Sequence, residues 1–121
     1  MGDRRNFIGY RDEFPNVTWP NGARLAISVV VNVEEGAELS IADGDERNES
    51  FYEAREEVIG AFDPCMESHY GYGTRVGYGR ILDALGRRSV PATFSCCGRA
   101  AARSPWLVRD LISRGHEASC H

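Results

Sequence analysis

Arg24-Leu25-Ala26-Ile27-Ser28-Val29-Val30-Val31-Asn32-Val33-Glu34-Glu35-Gly36 is a nearly continuous apolar run that ends on two carboxylates and a glycine. It lacks the strict alternation of a half-exposed strand, which suits a strand buried on both faces of a parallel sheet. Its longest apolar part, Leu25 to Val31, is broken by Ser28 and is far too short to span a bilayer. The polar triplet at its end therefore falls where a parallel sheet gathers its chemistry.

Working outward, residues 1–23 are rich in turn formers and aromatics, with Phe14-Pro15-Asn16 and Trp19-Pro20-Asn21-Gly22, and predict an ordered lead-in that packs over the rest. Downstream, Ser50-Phe51-Tyr52-Glu53 fits a capping box. Phe51, Ala54, Val58, Ile59 and Phe62 then share one helical face, and Pro64 is expected to stop that helix. A second helix follows Thr74, with Tyr78, Ile81, Leu82 and Leu85 inward and Gly86 as its stop. Gly77 and Gly79 weaken its first turn by about 1 kcal/mol each relative to alanine. Val90 to Cys96 predicts a second strand with Pro91 at its entrance. Ser104-Pro105 opens a third helix whose buried stripe is Leu107, Val108, Leu111 and Ile112, and Gly115 ends it. His116 to Cys120 remains as a third strand. Strands alternating with helices imply an α/β fold with parallel strands and right-handed crossovers. The division expected is a lead-in over 1–23 and the first strands and helices of an α/β unit over 24–121.

The 121 residues suffice for one modest core. With 42% hydrophobic and 26% charged residues and a formal charge of −4, the chain carries neither a basic patch nor a polybasic run. That argues against nucleic-acid and anionic-membrane partners. The opening Met1-Gly2-Asp3-Arg4-Arg5-Asn6 has a basic pair with no apolar stretch behind it, so no signal peptide is read and a cytoplasmic location is the default expectation. The four cysteines, Cys65, Cys96, Cys97 and Cys120, are expected as thiols. A zinc site from Cys96, Cys97, Cys120 and His121 is the lesser alternative, because no Cys-x-x-Cys pair is present.

Parallel strands place their C-terminal ends on one face, where active sites are assembled. Glu34-Glu35-Gly36, Cys96-Cys97-Gly98 and Cys120-His121 should meet there. Adjacent carboxylates at a buried strand end resist joint ionisation, which makes one of them a candidate general base. Imidazole opposite carboxylate suits zinc or a comparable metal. The bland alternatives are a solvated Glu34–Glu35 pair and a structural His121. His116 begins its strand and should face the opposite end. His69, in the Gly- and Tyr-rich stretch Ser68 to Gly73, is expected in an exposed loop, with a lid or substrate contact as the lesser alternative. Glu38, Asp43, Asp45, Glu46 and Glu49 read as an acidic surface loop, and Trp19 and Trp106 as packing residues.

At these same residues the sequence resembles the polysaccharide deacetylase family, and within it the metal-independent allantoinase branch. The blocks that carry the likeness are Arg5-Asn6-Phe7-Ile8-Gly9-Tyr10, Trp19-Pro20-Asn21-Gly22-Ala23-Arg24-Leu25-Ala26 and Asn32-Val33-Glu34-Glu35-Gly36. Glu38, Ser40, Gly44-Asp45 and Tyr72-Gly73-Thr74-Arg75-Val76-Gly77 continue it, and Val90-Pro91-Ala92-Thr93-Phe94 and Gly115-His116-Glu117-Ala118-Ser119-Cys120-His121 complete it. The resemblance implies the N-terminal portion of a distorted (β/α) barrel, which in full needs about 250 residues. It implies a base role for Glu34, a second catalytic or ligand role for Glu35, a metal-ligand role for His121, and substrate contacts from Glu38 and Arg75. It leaves two cofactor states open: a divalent metal such as zinc, or none in the allantoinase-like branch.

Val33 in place of a tyrosine, Gly79 in place of a tryptophan, and Ser95-Cys96-Cys97 in place of an apolar strand end are departures that bear on substrate. The expected activity is hydrolysis of a carbon–nitrogen bond other than a peptide bond. Its substrate would be a small cyclic amide or ureide such as allantoin, or the N-acetyl group of a carbohydrate. The competing expectation is a non-catalytic truncated product that forms oligomers or binds a second polypeptide carrying the rest of the barrel.

Overall fold

Phe94 is fully buried at the middle of the molecule, and the fold is arranged around it. It lies on β2 (Thr93–Cys96), the central strand of a three-stranded parallel sheet flanked by β1 (Val30–Val33) and β3 (Glu117–Cys120). The computed structural model describes residues 9–50 and 56–121. Within each row of the sheet, Val31 faces Phe94 and Ala118, and Val33 faces Cys96 and Cys120.

Because side chains alternate along a strand, Val31, Val33, Phe94 and Cys96 point to one face. Helices α2 (Tyr78–Gly86) and α4 (Pro105–Ser113) cover that face with Tyr78, Leu82, Leu107 and Leu111. Tyr78 ties the two helices together, since its hydroxyl donates to an Asp110 carboxylate oxygen at 2.9 Å. Burial, and next the hydrogen bond to Asp110, push the Tyr78 phenol well above its ordinary range. Arg114 at 2.9 Å, and after it Tyr78, hold Asp110 below the usual carboxylate range.

Several expectations for individual elements need correction. Pro64 does not end a helix but begins one, α1 (Pro64–Tyr72), as its first residue. Asp63 caps it by accepting from the Cys65 and Met66 backbone N–H groups at 2.9 and 3.1 Å, the usual way a first turn is satisfied. The capping box at Ser50 to Glu53 lies largely outside the described residues. Val58, Ile59 and Phe62 are exposed and non-helical, with Gly60 at a φ of +69°. His69 sits in α1 rather than a loop, edge-on to Tyr70 at 5.5 Å. A π-helical turn, Gly73–Gly77, joins α1 to α2, so the predicted second helix has no separate start at Thr74. Helix α3 (Gly98–Arg103) was not expected.

The first strand is shorter and less covered than predicted. Leu25 and Ile27 are exposed and outside β1, and Val30 is 56% exposed. Helices shield only one face of the sheet among the described residues, so β1 is not buried on both. Residues 9–28 are exposed throughout, Trp19 included, so that part of the lead-in does not pack over the core. Trp106 is half-exposed but packs edge-on against Tyr78 at 5.6 Å. Ile112, placed in the buried stripe, is exposed on α4. No helix among the described residues is long and apolar enough to cross a membrane.

Candidate active site

The backbone ladder runs one residue past each strand. Cys97 N donates to Val33 O at 3.0 Å, and His121 N donates to Cys96 O at 3.1 Å. This extension brings the residues just beyond β1, β2 and β3 into line at the C-terminal edge. On the face opposite the helices, the row Asn32, Ser95 and Ser119 leads to Glu34 and His121.

Four of these side chains are bonded into one chain. His121 Nε2 stands 3.1 Å from Glu34 Oε1, and the same oxygen accepts from Asn32 Nδ2 at 3.1 Å. Ser95 Oγ lies 3.2 Å from His121 Nδ1, so both ring nitrogens are engaged. An exposed ion pair contributes only ~0–1 kcal/mol, and the Glu34 and His121 side chains are 54% and 39% exposed. The strand ladder, not the pair, therefore sets their positions. Sequence reasoning found Glu34 and His121 but missed Asn32 and Ser95. Their signal was present, as polar residues in an otherwise apolar strand.

Glu35 goes the other way. Period two along the strand turns it toward the helical side, where its carboxylate lies against Gly73 of the π-helical turn. It has no hydrogen-bond or ion-pair partner among the described residues. The structure thus joins His121 to Glu34 and does not bring Glu35 to it, as the expected metal pair required. Glu34 and His121 supply two donors to that spot. Among the described residues no group of three or more His, Cys, Asp or Glu side chains is placed to hold a metal ion. The two donors described at that spot do not make up a metal centre.

Glu38 folds back to accept from Gly36 N at 2.5 Å, and Ala37 N donates to Glu34 O at 2.7 Å. Glu38 thereby shapes the turn that presents Glu34 and Glu35. Gly36 holds a φ of +96°, open to glycine, and a Cβ there would also meet Arg103 Cδ at 3.4 Å. Arg75 is exposed on the π-helical turn. The Cys96 thiol is buried, and burial, then the neighbouring Cys97, push it up, so it stays protonated and unreactive. The Cys120 thiol is exposed, and Cys96, Cys97, Cys120 and His121 do not form the alternative zinc site among the described residues. His116 works at the far edge, where its Nδ1 accepts from Ala92 N at 3.2 Å and its ring leans on Phe94.

The acidic loop after β1 is built rather than loose. Ser40 is buried, donates to the Glu67 carboxylate on α1, and accepts from Ala42 N at 3.1 Å. Asp45 accepts from Ser40 N at 2.9 Å and pairs with Arg99 at 2.6 Å, while Asp43 pairs with Arg103 at 2.6 Å. Arg99, by its hydrogen bond above all, holds the Asp45 carboxyl below the usual range. The loop is thereby strapped to α3 beside the C-terminal edge of the sheet.

With this geometry, the solved structures of known proteins superpose closely. A crystal structure of Puue allantoinase matches 100% of this chain and 41% of its own length, with a TM-score of 0.85 and 37% identity. A polysaccharide deacetylase structure from Pseudomonas aeruginosa PAO1 matches 98% of this chain and 41% of its own, with a TM-score of 0.86 and 38% identity. This chain resembles polysaccharide deacetylases and an allantoinase. Among curated proteins, one named as a polysaccharide deacetylase in Schizosaccharomyces pombe is 35% identical over 109 residues, which is 85% of this chain. A chitooligosaccharide deacetylase of Bradyrhizobium sp. (strain ANU 289) is 42% identical over 41 residues, 34% of this chain and 19% of its own length. The chain spans 33% of the length of the fission-yeast relative, so it corresponds to a fraction of such a protein. No family model matches it. The parallel sheet and its helices are thus a partial α/β fold of the kind those barrels contain.

Proposed function

We propose that this chain contributes part of the active site of a hydrolase that cleaves a carbon–nitrogen bond other than a peptide bond. The carrying observation is the Glu34 carboxylate at the C-terminal edge of a parallel sheet, sharing one oxygen with His121 and Asn32 at 3.1 Å each. Deacetylases among the relatives support the reaction class.

In this reading Glu34 takes a proton from water as the water oxygen bonds to the amide carbonyl carbon. The C–N bond then breaks, and the proton passes to the departing nitrogen. His121, steadied by Ser95 at Nδ1, orients the Glu34 carboxylate through Nε2. Glu35 positions substrate from the helical side, with Arg75 as a contact on the π-helical turn and Glu38 as the residue that shapes the turn. The substrate is a cyclic amide or ureide such as allantoin, or an N-acetylated carbohydrate.

Glu34→Gln keeps the shape and removes the base. It should cost about 10²–10⁴ in kcat without lowering the thermal midpoint. Assay against a cyclic ureide and an N-acetylated oligosaccharide separates the two substrate classes, and near-normal turnover of both would sink the assignment of Glu34.

A further inference from the structure

Glu34 and Glu35 are neighbours in sequence, yet only Glu34 is held by bonds. Glu35 is half-buried and has no hydrogen-bond or ion-pair partner among the described residues, so something else must fix it. The space around Gly73 shows what does. A Cβ built on Gly73 would stand 2.0 Å from Glu35 Oε1, 2.2 Å from Cδ and 2.5 Å from Cγ. The carboxylate occupies the volume that any other residue at 73 would fill with its side chain.

Gly73 also begins the π-helical turn between α1 and α2. An extra residue in a helical turn is rare, concentrates at functional sites, and shifts which residues face a neighbouring strand. Here it turns a bare backbone toward the end of β1. The crevice between them is lined by Asn32, Val33, Glu35, Gly73, Thr74 and Tyr78. Without a Cβ at 73, the carboxylate can lie flat in this crevice instead of swinging into solvent.

We infer that Gly73 is the positioning residue for Glu35, and that the π-helical turn exists in this fold to seat that carboxylate. The inference rests on the reading of Glu35 as a substrate-positioning group. The atoms that would clash are the far end of a flexible side chain. A methyl group at 73 therefore displaces Glu35 rather than the helix.

The test is a double-mutant cycle in the protein. Gly73→Ala should lower kcat/KM about ten- to a hundredfold, the scale of an ångström-sized misplacement, with an unchanged circular-dichroism spectrum. Glu35→Ala should lower it as well, and Gly73→Ala should then add nothing in the Glu35→Ala background. Glu35→Asp, shorter by one methylene, should recover part of the activity of Gly73→Ala, which a merely structural role for Gly73 would not allow. An equal loss from Gly73→Ala in both backgrounds, or no loss in either, overturns the proposal. Should Gly73→Ala fail to fold, folding restored by Glu35→Ala supports the clash, and failure of both overturns it. A crystal structure of Gly73→Ala reads the displacement of Glu35 without any assay. It separates this inference from the hydrolase reading, which falls instead if Glu34→Gln remains active.

Discussion

Ser95 and Asn32 are the smallest parts of the candidate site, and their effect is on direction. Ser95 engages His121 Nδ1 at 3.2 Å, which leaves Nε2 to face Glu34. Removing that hydroxyl frees the ring to rotate, because the surrounding face is open and packing does not hold it. Ser95→Ala should therefore lower kcat about tenfold, the size of a positioning hydrogen bond near 1.4 kcal/mol, with little change in stability. The half-exposed site makes that split plausible, since a lost hydrogen bond to a solvated imidazole is replaced by water. An unchanged kcat alongside a lowered thermal midpoint would show that Ser95 serves the sheet and not the site. Glu34 and His121 were legible in the sequence because topology alone sends strand ends to one edge. Glu35 was expected beside His121, and the period of two that turns it to the helical side was not applied past the end of the strand. The hollow at Gly73 was not legible, because it depends on how α1 and α2 meet β1.

At the scale of elements, the loop between β1 and α1 carries the clearest electrostatic signature. Arg99 holds the Asp45 carboxyl below its ordinary value of 3.8, so the native state gives up that proton more readily than the unfolded chain. The stabilisation is complete above about pH 4, the unfolded value, and is lost as pH falls through the lower native value. Hydrogen exchange at Ser40 N and Ala42 N should accordingly rise as the pH is lowered below about 4, after correction for intrinsic rates. Asp45→Asn should show the faster exchange already at neutral pH and lose the acid step; an acid step that survives it belongs to another carboxylate. The sequence presented these acids as surface charges, and only the strapping to α3 reveals their use. Helix α3 itself had a readable signal in Ala100-Ala101-Ala102, strong helix formers, obscured by the glycine before them and the absence of a side-chain cap. Pro64 was readable in two ways, since proline ends one helix and begins another. Asp63 immediately before it was the residue that decided between them.

The whole molecule is one-sided. Among the described residues the main buried apolar cluster lies between the sheet and α2, α3 and α4, with Phe94, Ala100, Leu107 and Leu111 at its centre. The other face shows Val30, 56% exposed, and Ile27, outside the strand, is 79% exposed. β1 and β3 each pair on one side only among the described residues, and every residue of β3 is exposed. Unpaired parallel edges beside exposed apolar side chains are a template for further pairing. The 121-residue chain taken alone should therefore self-associate, its sedimentation coefficient rising with concentration. Val30→Lys places a charge on the exposed face of the edge strand without touching the core. It should weaken that association by about tenfold or more, since burying an unpaired charge costs more than an apolar contact returns. A chain that sediments as a monomer at every concentration would mean that the exposed face and open edges do not drive association. Association unchanged in Val30→Lys would move the contact to β3, where Ser119→Lys probes the same polar face from the other edge.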